Sequence, residues 1–77
     1  MEIRNLITFV RIAEVRNFSK TAEQLGYSQS AVTMQIKQLE AELQVQLFER
    51  IGKKAKLTQA GQRLLPYALD ILSAAGK

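Results

Sequence analysis

A turn of three residues between two predicted helices constrains this fold more than any other feature of the sequence. Gly26 can end the helix before the turn, because glycine tolerates the left-handed conformation found just past a helix. Ser28 can cap the helix after the turn. Ala22 is small where the two helices would touch, and Val32 can anchor the second helix on the first. With another helix before them, these segments predict a helix-turn-helix, whereas a generic helical bundle would not need this turn.

The helices themselves are predicted from the spacing of apolar residues. A first amphipathic helix is expected over about residues 3–15, with an apolar face formed by Ile3, Leu6, Ile7, Val10 and Ala13. The helix before the turn is expected over about residues 20–25, with Ser19 as its N-cap. The helix after the turn is expected over about residues 29–43, on a stripe of Val32, Ile36, Leu39 and Leu43.

The outer face of this third helix is poor in charge. It carries Ser30, Thr33 and Met34, with Gln29 in the first turn, and the first acidic residue of the helix is Glu40. Base edges in the major groove offer donors, acceptors and thymine methyl groups, so a helix that reads them needs polar and apolar contacts together. We therefore predict that Gln29, Ser30, Thr33 and Met34 read bases of double-stranded DNA.

A basic segment follows the third helix. Two short strands are predicted, at about residues 47–50 and 55–57, although an irregular loop would give a similar pattern. From Arg50 to Arg63 there are five basic residues and no acid, which is typical of a surface that meets phosphate, although a solvated loop is the alternative. A winged helix-turn-helix places such a hairpin beside its recognition helix. We predict that contacts to the DNA backbone or minor groove come from Ser19, Lys20, Lys37, Arg50, Lys53 and Lys54.

The last predicted helix begins after Thr58, which can cap it, and runs to about residue 74. Its apolar surface is broad for so small a domain, so we expect one side to pack on the three helices and the rest to pair with a second copy of the chain. A long core helix is the alternative. Pro66 removes one backbone hydrogen bond, which predicts a kink. The expected dimer contacts are Leu65, Ala68, Leu69, Leu72 and Ala75.

Composition excludes several classes of function. The 77 residues form one small domain, and the chain contains neither cysteine nor histidine. Disulfides, the usual zinc sites and histidine-based catalysis are therefore excluded, and we predict no metal, no cofactor and no enzymatic activity. The sequence has no long apolar run and no signal-peptide pattern, so no membrane association and a cytoplasmic location are expected.

Nearly the whole chain resembles the DNA-binding domain of LysR-type transcriptional regulators. The matching stretches are LITFVRIAEVRNFSKTAEQLGYSQSAVTMQIKQLEAEL, LFER and LTQAGQRLL. The resemblance implies a mainly α fold, with a winged helix-turn-helix over residues 1–58 and a dimerising linker helix over residues 59–77. It also implies a homodimer on a partly palindromic operator. Family members carry a larger effector-binding domain after this helix, so the expectation is that no residue here binds the small-molecule coinducer.

Three positions depart from the family pattern. Ser30 stands where many members have proline, which adds a polar group to the reading end of the helix. Met34 stands where arginine is common, which disfavours a guanine contact and favours contact with thymine methyls. Gln44 replaces the glycine usual after the third helix, and a positive φ there would cost about 1 kcal/mol.

A second function remains open on the sequence alone. Winged helices also serve as protein-binding or dimerisation modules, because a fold does not fix a function. In that case Lys53→Ala and Lys54→Ala would leave function intact, whereas Leu72→Asp would abolish it. Sequence-specific DNA binding is the reading that the uncharged helix face and the basic wing favour.

Overall fold

The computed structural model describes the backbone of residues 1–75 and the side chains of residues 1–74. It confirms the predicted fold class: three helices, a two-stranded antiparallel wing and a fourth helix. No helix within the described residues is long and apolar enough to span a membrane. In chain order the elements are α1 (Ile3–Val15), α2 (Phe18–Leu25), α3 (Gln29–Leu43), β1 (Phe48–Ile51), β2 (Lys54–Leu57) and α4 (Gln59–Ala75).

The core lies where α1 meets the other three helices and the wing. The predicted stripe of α3 is confirmed, since Val32, Ile36 and Leu39 are buried. The predicted face of α1 is partly wrong: Ile3 and Ile7 are exposed by 44% and 43%. Helices α2, α3 and α4 all pack on α1, so its buried face is wide: it includes the predicted Leu6 and Val10 and extends over Phe9 and Ile12.

Helix α2 begins earlier than predicted. Asn17, not Ser19, is its N-cap, and the Asn17 side chain accepts a hydrogen bond from the Lys20 backbone amide at 2.9 Å. Both residue types are good caps, and the sequence places them two positions apart. Phe18 lies between them and is buried, so including it in the first turn fixes the start of the helix.

The turn before α3 forms as predicted. Gly26 has a φ of 75° and ends α2, and the Ser28 hydroxyl accepts from the Ala31 amide at 3.1 Å. Gln44 ends α3 with a φ of 57°, so the left-handed conformation expected at this departure from the family pattern is present. A glycine would adopt that conformation without the steric penalty that the Gln44 Cβ introduces.

The wing is a short hairpin in which Phe48 pairs with Leu57 and Ile51 pairs with Lys54. The predicted strands are confirmed with ends shifted by one residue. The hairpin is joined to the rest of the domain by the backbone, because the Ala55 amide donates to the Arg16 carbonyl oxygen at 2.9 Å. Ala55 pairs with Arg50, one residue pair from the turn of the hairpin, so this bond fixes the outer half of the wing relative to the helices.

Helix α4 packs on α1 and β2. Thr58 caps it as predicted, with its hydroxyl accepting from the Gly61 amide at 3.1 Å. Gly61 lies so close to Leu47, the residue before β1, that an added Cβ would collide with the Leu47 carbonyl oxygen. The helix continues through Pro66, and the kink at that residue stays a prediction.

The predicted dimer residues of α4 fall into different environments. Ala68 has no exposed surface and lies in the core of its own chain, so its assignment to a dimer contact is corrected. Leu65 and Leu72 are half-buried and pack against the same core, whereas Leu69 is 48% exposed. The side chain of Ala75 lies outside the described residues.

Candidate nucleic-acid interface

The crest of α3 is an exposed ridge that faces away from the core. Ser30 and Met34 lie four residues apart on this ridge, and Met34 is 62% exposed. Lys37 is also exposed, one turn further along the helix. The Oγ atoms of Ser28 and Ser30 lie 3.3 Å apart, so the hydroxyl of the cap and the hydroxyl of the ridge form one polar end. The ridge can therefore offer a hydroxyl, a thioether and a cation to a groove.

The other two predicted base-reading residues lie on the side of α3 that faces the wing, which we call the wing flank (Gln29 and Thr33). Ser19 in α2 donates its hydroxyl to Gln29 Oε1 at 2.8 Å. Arg50 in β1 donates from Nη2 to Thr33 Oγ1 at 3.1 Å. Both bonds are exposed to solvent. Ser19 and Arg50 were predicted to contact the DNA backbone or minor groove. The structure places them next to residues predicted to read bases.

Arg50 is oriented by an aromatic pair that the sequence interpretation missed. Its guanidinium carbon lies 3.7 Å from the centre of the Phe18 ring, and Phe18 in turn packs edge-on against Phe48 with ring centres 5.7 Å apart. Residues i and i+2 of a strand lie on the same face, so Arg50 shares the inward face of β1 with Phe48. The two-residue spacing of Phe48 and Arg50 could have indicated that they share a face of the strand, but their partner Phe18 is distant in sequence.

A cleft of about 220 Å³ opens between the starts of α2 and α3 and the wing. It is lined by Phe18, Ser19, Gln29, Arg50, Gly52, Lys53 and Lys54. Three of these residues are cationic and none is acidic, so the electrostatics of the cleft favour an anion such as phosphate. Lys20 is exposed beside the cleft, but its backbone amide already donates to Asn17. The group of Lys20 that is left for a phosphate is therefore its side chain.

The opposite side of α3, the α1 flank (Gln35 and Gln38), carries similar chemistry in part-buried contacts with α1. The Thr8 hydroxyl donates to Gln35 Oε1 at 2.5 Å, and Asn5 Nδ2 donates to Gln38 Oε1 at 3.4 Å. Thr8 and Asn5 are buried. These contacts fix the rotation of α3 about its own axis. They were missed in the sequence because Asn5 and Thr8 are polar residues within an apolar segment.

The acidic residues of α3 serve the fold. Glu40 accepts a hydrogen bond from the Leu47 amide through Oε2 at 2.7 Å, which ties the end of the helix to the start of the wing. Glu42 lies 3.1 Å from the amino group of Met1. Neither belongs to the ridge or to the wing flank. Within residues 1–74, no group of side chains suited to a metal ion is present.

An exposed helix ridge without acidic residues, beside a cationic wing, defines this chain as a winged helix-turn-helix protein with a nucleic-acid-binding type of surface. Residues 3–62 match the model of the bacterial regulatory helix-turn-helix proteins, lysR family. The chain therefore belongs to the lysR family.

Curated relatives and solved structures agree with this assignment. The chain is 51% identical over 73 residues to the uncharacterized HTH-type transcriptional regulator YwqM of Bacillus subtilis, covering 95% of this chain and 25% of that protein. It is 51% identical over 72 residues to the regulator CitR of the same organism, covering 94% and 25%. The chain thus spans about a quarter of the length of these relatives.

The crystal structure of the CbnR DBD–DNA complex matches with a TM-score of 0.95 at 42% identity, covering 99% of this chain and 87% of that chain. The BenM DBD in complex with catB site 1 DNA matches with a TM-score of 0.91 at 38% identity, covering 99% and 82%.

Proposed function

We propose that this chain binds double-stranded DNA sequence-specifically, as the DNA-binding domain of a LysR-type transcriptional regulator. The observation that carries the proposal is the surface formed by the ridge of α3, the wing flank and the basic cleft. The CbnR and BenM domains, which resemble this chain over almost its whole length, were solved in complex with DNA. The role needs neither a catalytic residue nor a cofactor, and it places the protein in the bacterial cytoplasm with its operator.

Base reading is assigned to four residues of α3. Ser30 and Met34 on the ridge would enter the major groove most deeply, and the exposed thioether of Met34 suits thymine methyl groups. Gln29 and Thr33 on the wing flank would approach bases from the side, with Gln29 able to pair with adenine through its amide. Their existing bonds to Ser19 and Arg50 restrict their rotamers before DNA arrives. Less entropy is then lost on binding.

Phosphate contacts are assigned to the basic residues that surround this surface. Lys53 and Lys54 lie in the cleft beside the wing tip, and Lys37 lies along the ridge. Arg50, Ser19 and the side chain of Lys20 complete the set around the start of α2. A phosphate contact positions the protein on DNA and carries no sequence information by itself. These residues would therefore supply affinity and its dependence on salt.

Dimerisation is assigned to α4, within the linker segment proposed at residues 59–77. Tyr67 and Ile71, four residues apart on one side of this helix, are 68% and 41% exposed, and Leu69 is 48% exposed on the other side of the buried Ala68. Single exposed apolar residues are common, but three in five residues of one helix favour a partner. Leu65 and Leu72 would extend that contact from the half-buried edge. Two copies would present two recognition helices to a partly palindromic site.

Selection of bound sequences from a random duplex pool tests the proposal directly. We expect enrichment of a motif with two related half-sites, and gel-shift affinity for it well above that for scrambled duplex. A pool without any enriched motif would contradict sequence-specific binding. If wild-type binding were absent but chains still paired, the protein-interaction module would be favoured. Sedimentation of the wild type beside Leu69→Asp measures that pairing.

A further inference from the structure

Arg50 is held by two contacts within the free chain. Its Nη2 atom donates to Thr33 Oγ1 at 3.1 Å, and its guanidinium stacks over the Phe18 ring at 3.7 Å. Phe18 is 7% exposed and is supported by Phe48, so the platform under the guanidinium belongs to the core. A planar cation on a fixed ring has few rotamers left. The hydrogen bond to Thr33 therefore has a defined geometry.

The direction of this hydrogen bond follows from the chemistry of its two groups. A guanidinium has five N–H donors and no acceptor, so the Thr33 oxygen must accept and its own hydrogen remains for another partner. Among the described residues, no acceptor is bonded to the Thr33 hydroxyl, whereas the Thr21 hydroxyl of α2 donates to the Asn17 carbonyl oxygen at 2.8 Å. A cationic donor also polarises the hydroxyl, which strengthens it as a donor and weakens its remaining lone pair as an acceptor.

We propose that Arg50 determines base preference by acting on Thr33: it holds the Thr33 hydroxyl as a donor toward a hydrogen-bond acceptor on a base edge. The acceptors of the major groove are purine N7, guanine O6 and thymine O4, whereas the amino groups of adenine and cytosine are donors. Thr33 would therefore select against an amino group at the point it contacts. The inference rests on the proposed DNA-binding function and adds a specificity role to a residue otherwise assigned to phosphate.

A phosphate oxygen is also an acceptor, so the same donor could be satisfied by the DNA backbone. The geometry favours a base, because Thr33 lies on α3 next to the ridge residue Met34 and does not line the cationic cleft that suits phosphate, whereas Arg50 does. The other N–H groups of Arg50 remain for that phosphate. The base acceptor and the phosphate oxygen are distinguished by modifying each of them in a separate duplex.

The experiment compares the full chain with three variants on the selected duplex. Thr33→Val removes the hydroxyl at similar volume, and Arg50→Met removes the donors while keeping an apolar chain on Phe18. Lys53→Met is the matched control, because it removes one positive charge of the wing without a described contact to Thr33. The position read by Thr33 is the one whose preference changes in Thr33→Val. In one duplex, the base at that position lacks its acceptor: a 7-deazapurine lacks N7, and 5-methyl-2-pyrimidinone in place of thymine lacks O4. In a separate duplex, a neutral methylphosphonate replaces the neighbouring phosphate.

We expect the missing base acceptor to weaken wild-type binding about three- to tenfold, the range of one hydrogen bond. Thr33→Val and Arg50→Met should lose this discrimination, whereas Lys53→Met should bind more weakly on every duplex and keep it. Thermal unfolding of each variant checks that the fold is retained. Discrimination that survives in Arg50→Met would overturn the inference, as would sensitivity to the methylphosphonate alone. A wild-type pool with no enriched motif would overturn the proposed function and this inference together.

Discussion

The two flanks of α3 carry the same side-chain chemistry in opposite settings. On the α1 flank, Gln35 accepts from the buried Thr8 hydroxyl. On the wing flank, Thr33 accepts from Arg50 in a bond exposed to solvent. Glutamine and threonine therefore serve the interior on one side of the helix and a candidate binding surface on the other. Hydroxyls and amides on a helix indicate a reading surface only where their partners leave them accessible.

The contrast also explains why the recognition helix is presented with a fixed rotation. Asn5 and Thr8 hold one flank, and Ser19 and Arg50 hold the other. The ridge of Ser30 and Met34 lies between them, and among the described residues it has no hydrogen-bond partner from another element. Because both flanks are anchored, a change on either one can be tested for its effect on the ridge.

The largest effect should come from salt, and no part of it should come from the α1 flank. If the domain neutralises six to ten phosphates, its DNA affinity should fall about 10³- to 10⁵-fold between roughly 50 and 200 mM salt. Lys53→Met should reduce the slope of log affinity against log salt by about one unit. Thr8→Val on the α1 flank should leave the slope unchanged. Fluorescence anisotropy on a labelled duplex measures both slopes, and a flat wild-type curve would contradict the assigned phosphate contacts.

The next effect concerns the ridge between the flanks. Met34→Ala should lower affinity for the selected site by about 1–3 kcal/mol and relax the preference for thymine at one position. Its stability should barely change, because Met34 is 62% exposed. Repeating the selection with this variant provides the measurement. If Met34→Ala selected the same motif as the wild type, Met34 would not contact a base.

The α1 flank should reveal itself in stability. Thr8→Val should lower the free energy of unfolding by about 1–2 kcal/mol, because it leaves Gln35 without its buried donor. Thr33→Val, the same change on the exposed wing flank, should stay within about 0.5 kcal/mol. Urea unfolding of the two variants side by side gives the comparison. Equal losses would mean that the two flanks are not distinguished by burial.

The smallest effect is a control that lies on neither flank. Gln44→Gly should stabilise the domain by up to about 1 kcal/mol, because the native φ of 57° is left-handed and glycine adopts it without strain. The flexibility of glycine in the unfolded chain will offset part of that gain. The base preference should stay the same. A loss of stability would show that the Gln44 side chain makes a favourable contact that outweighs the strain.

Local signals explain what could be predicted from the sequence. Gly26 and Ser28 act on their own neighbours, so the turn and the start of α3 were predictable. The outward position of Met34 followed from helical periodicity. The start of α2 was wrong by two residues, because Asn17 and Ser19 are equally suitable caps and only the burial of Phe18 decides between them.

Contacts between distant segments explain the rest. Ile3 and Ile7 were wrongly included in the buried face of α1, because three helices cover this face and their directions are not encoded in the spacing of apolar residues. Arg50 was predicted as a wing cation, but its place over Phe18 depends on how the hairpin folds back on α2. The assignment of individual residues to bases or phosphates stays a prediction.

Gly61 has a mechanical consequence. There is no room for a Cβ between Gly61 of α4 and the carbonyl oxygen of Leu47, the residue before β1, so the two segments are in direct backbone contact. Such a joint has no flexible side chain to absorb displacement, so α4 cannot roll at this point without moving β1. The end of α3 is tied to the same place, because Glu40 holds the Leu47 amide. A displacement of α4 at Gly61 would therefore be transmitted through Leu47 and Glu40 to the end of α3, the recognition helix.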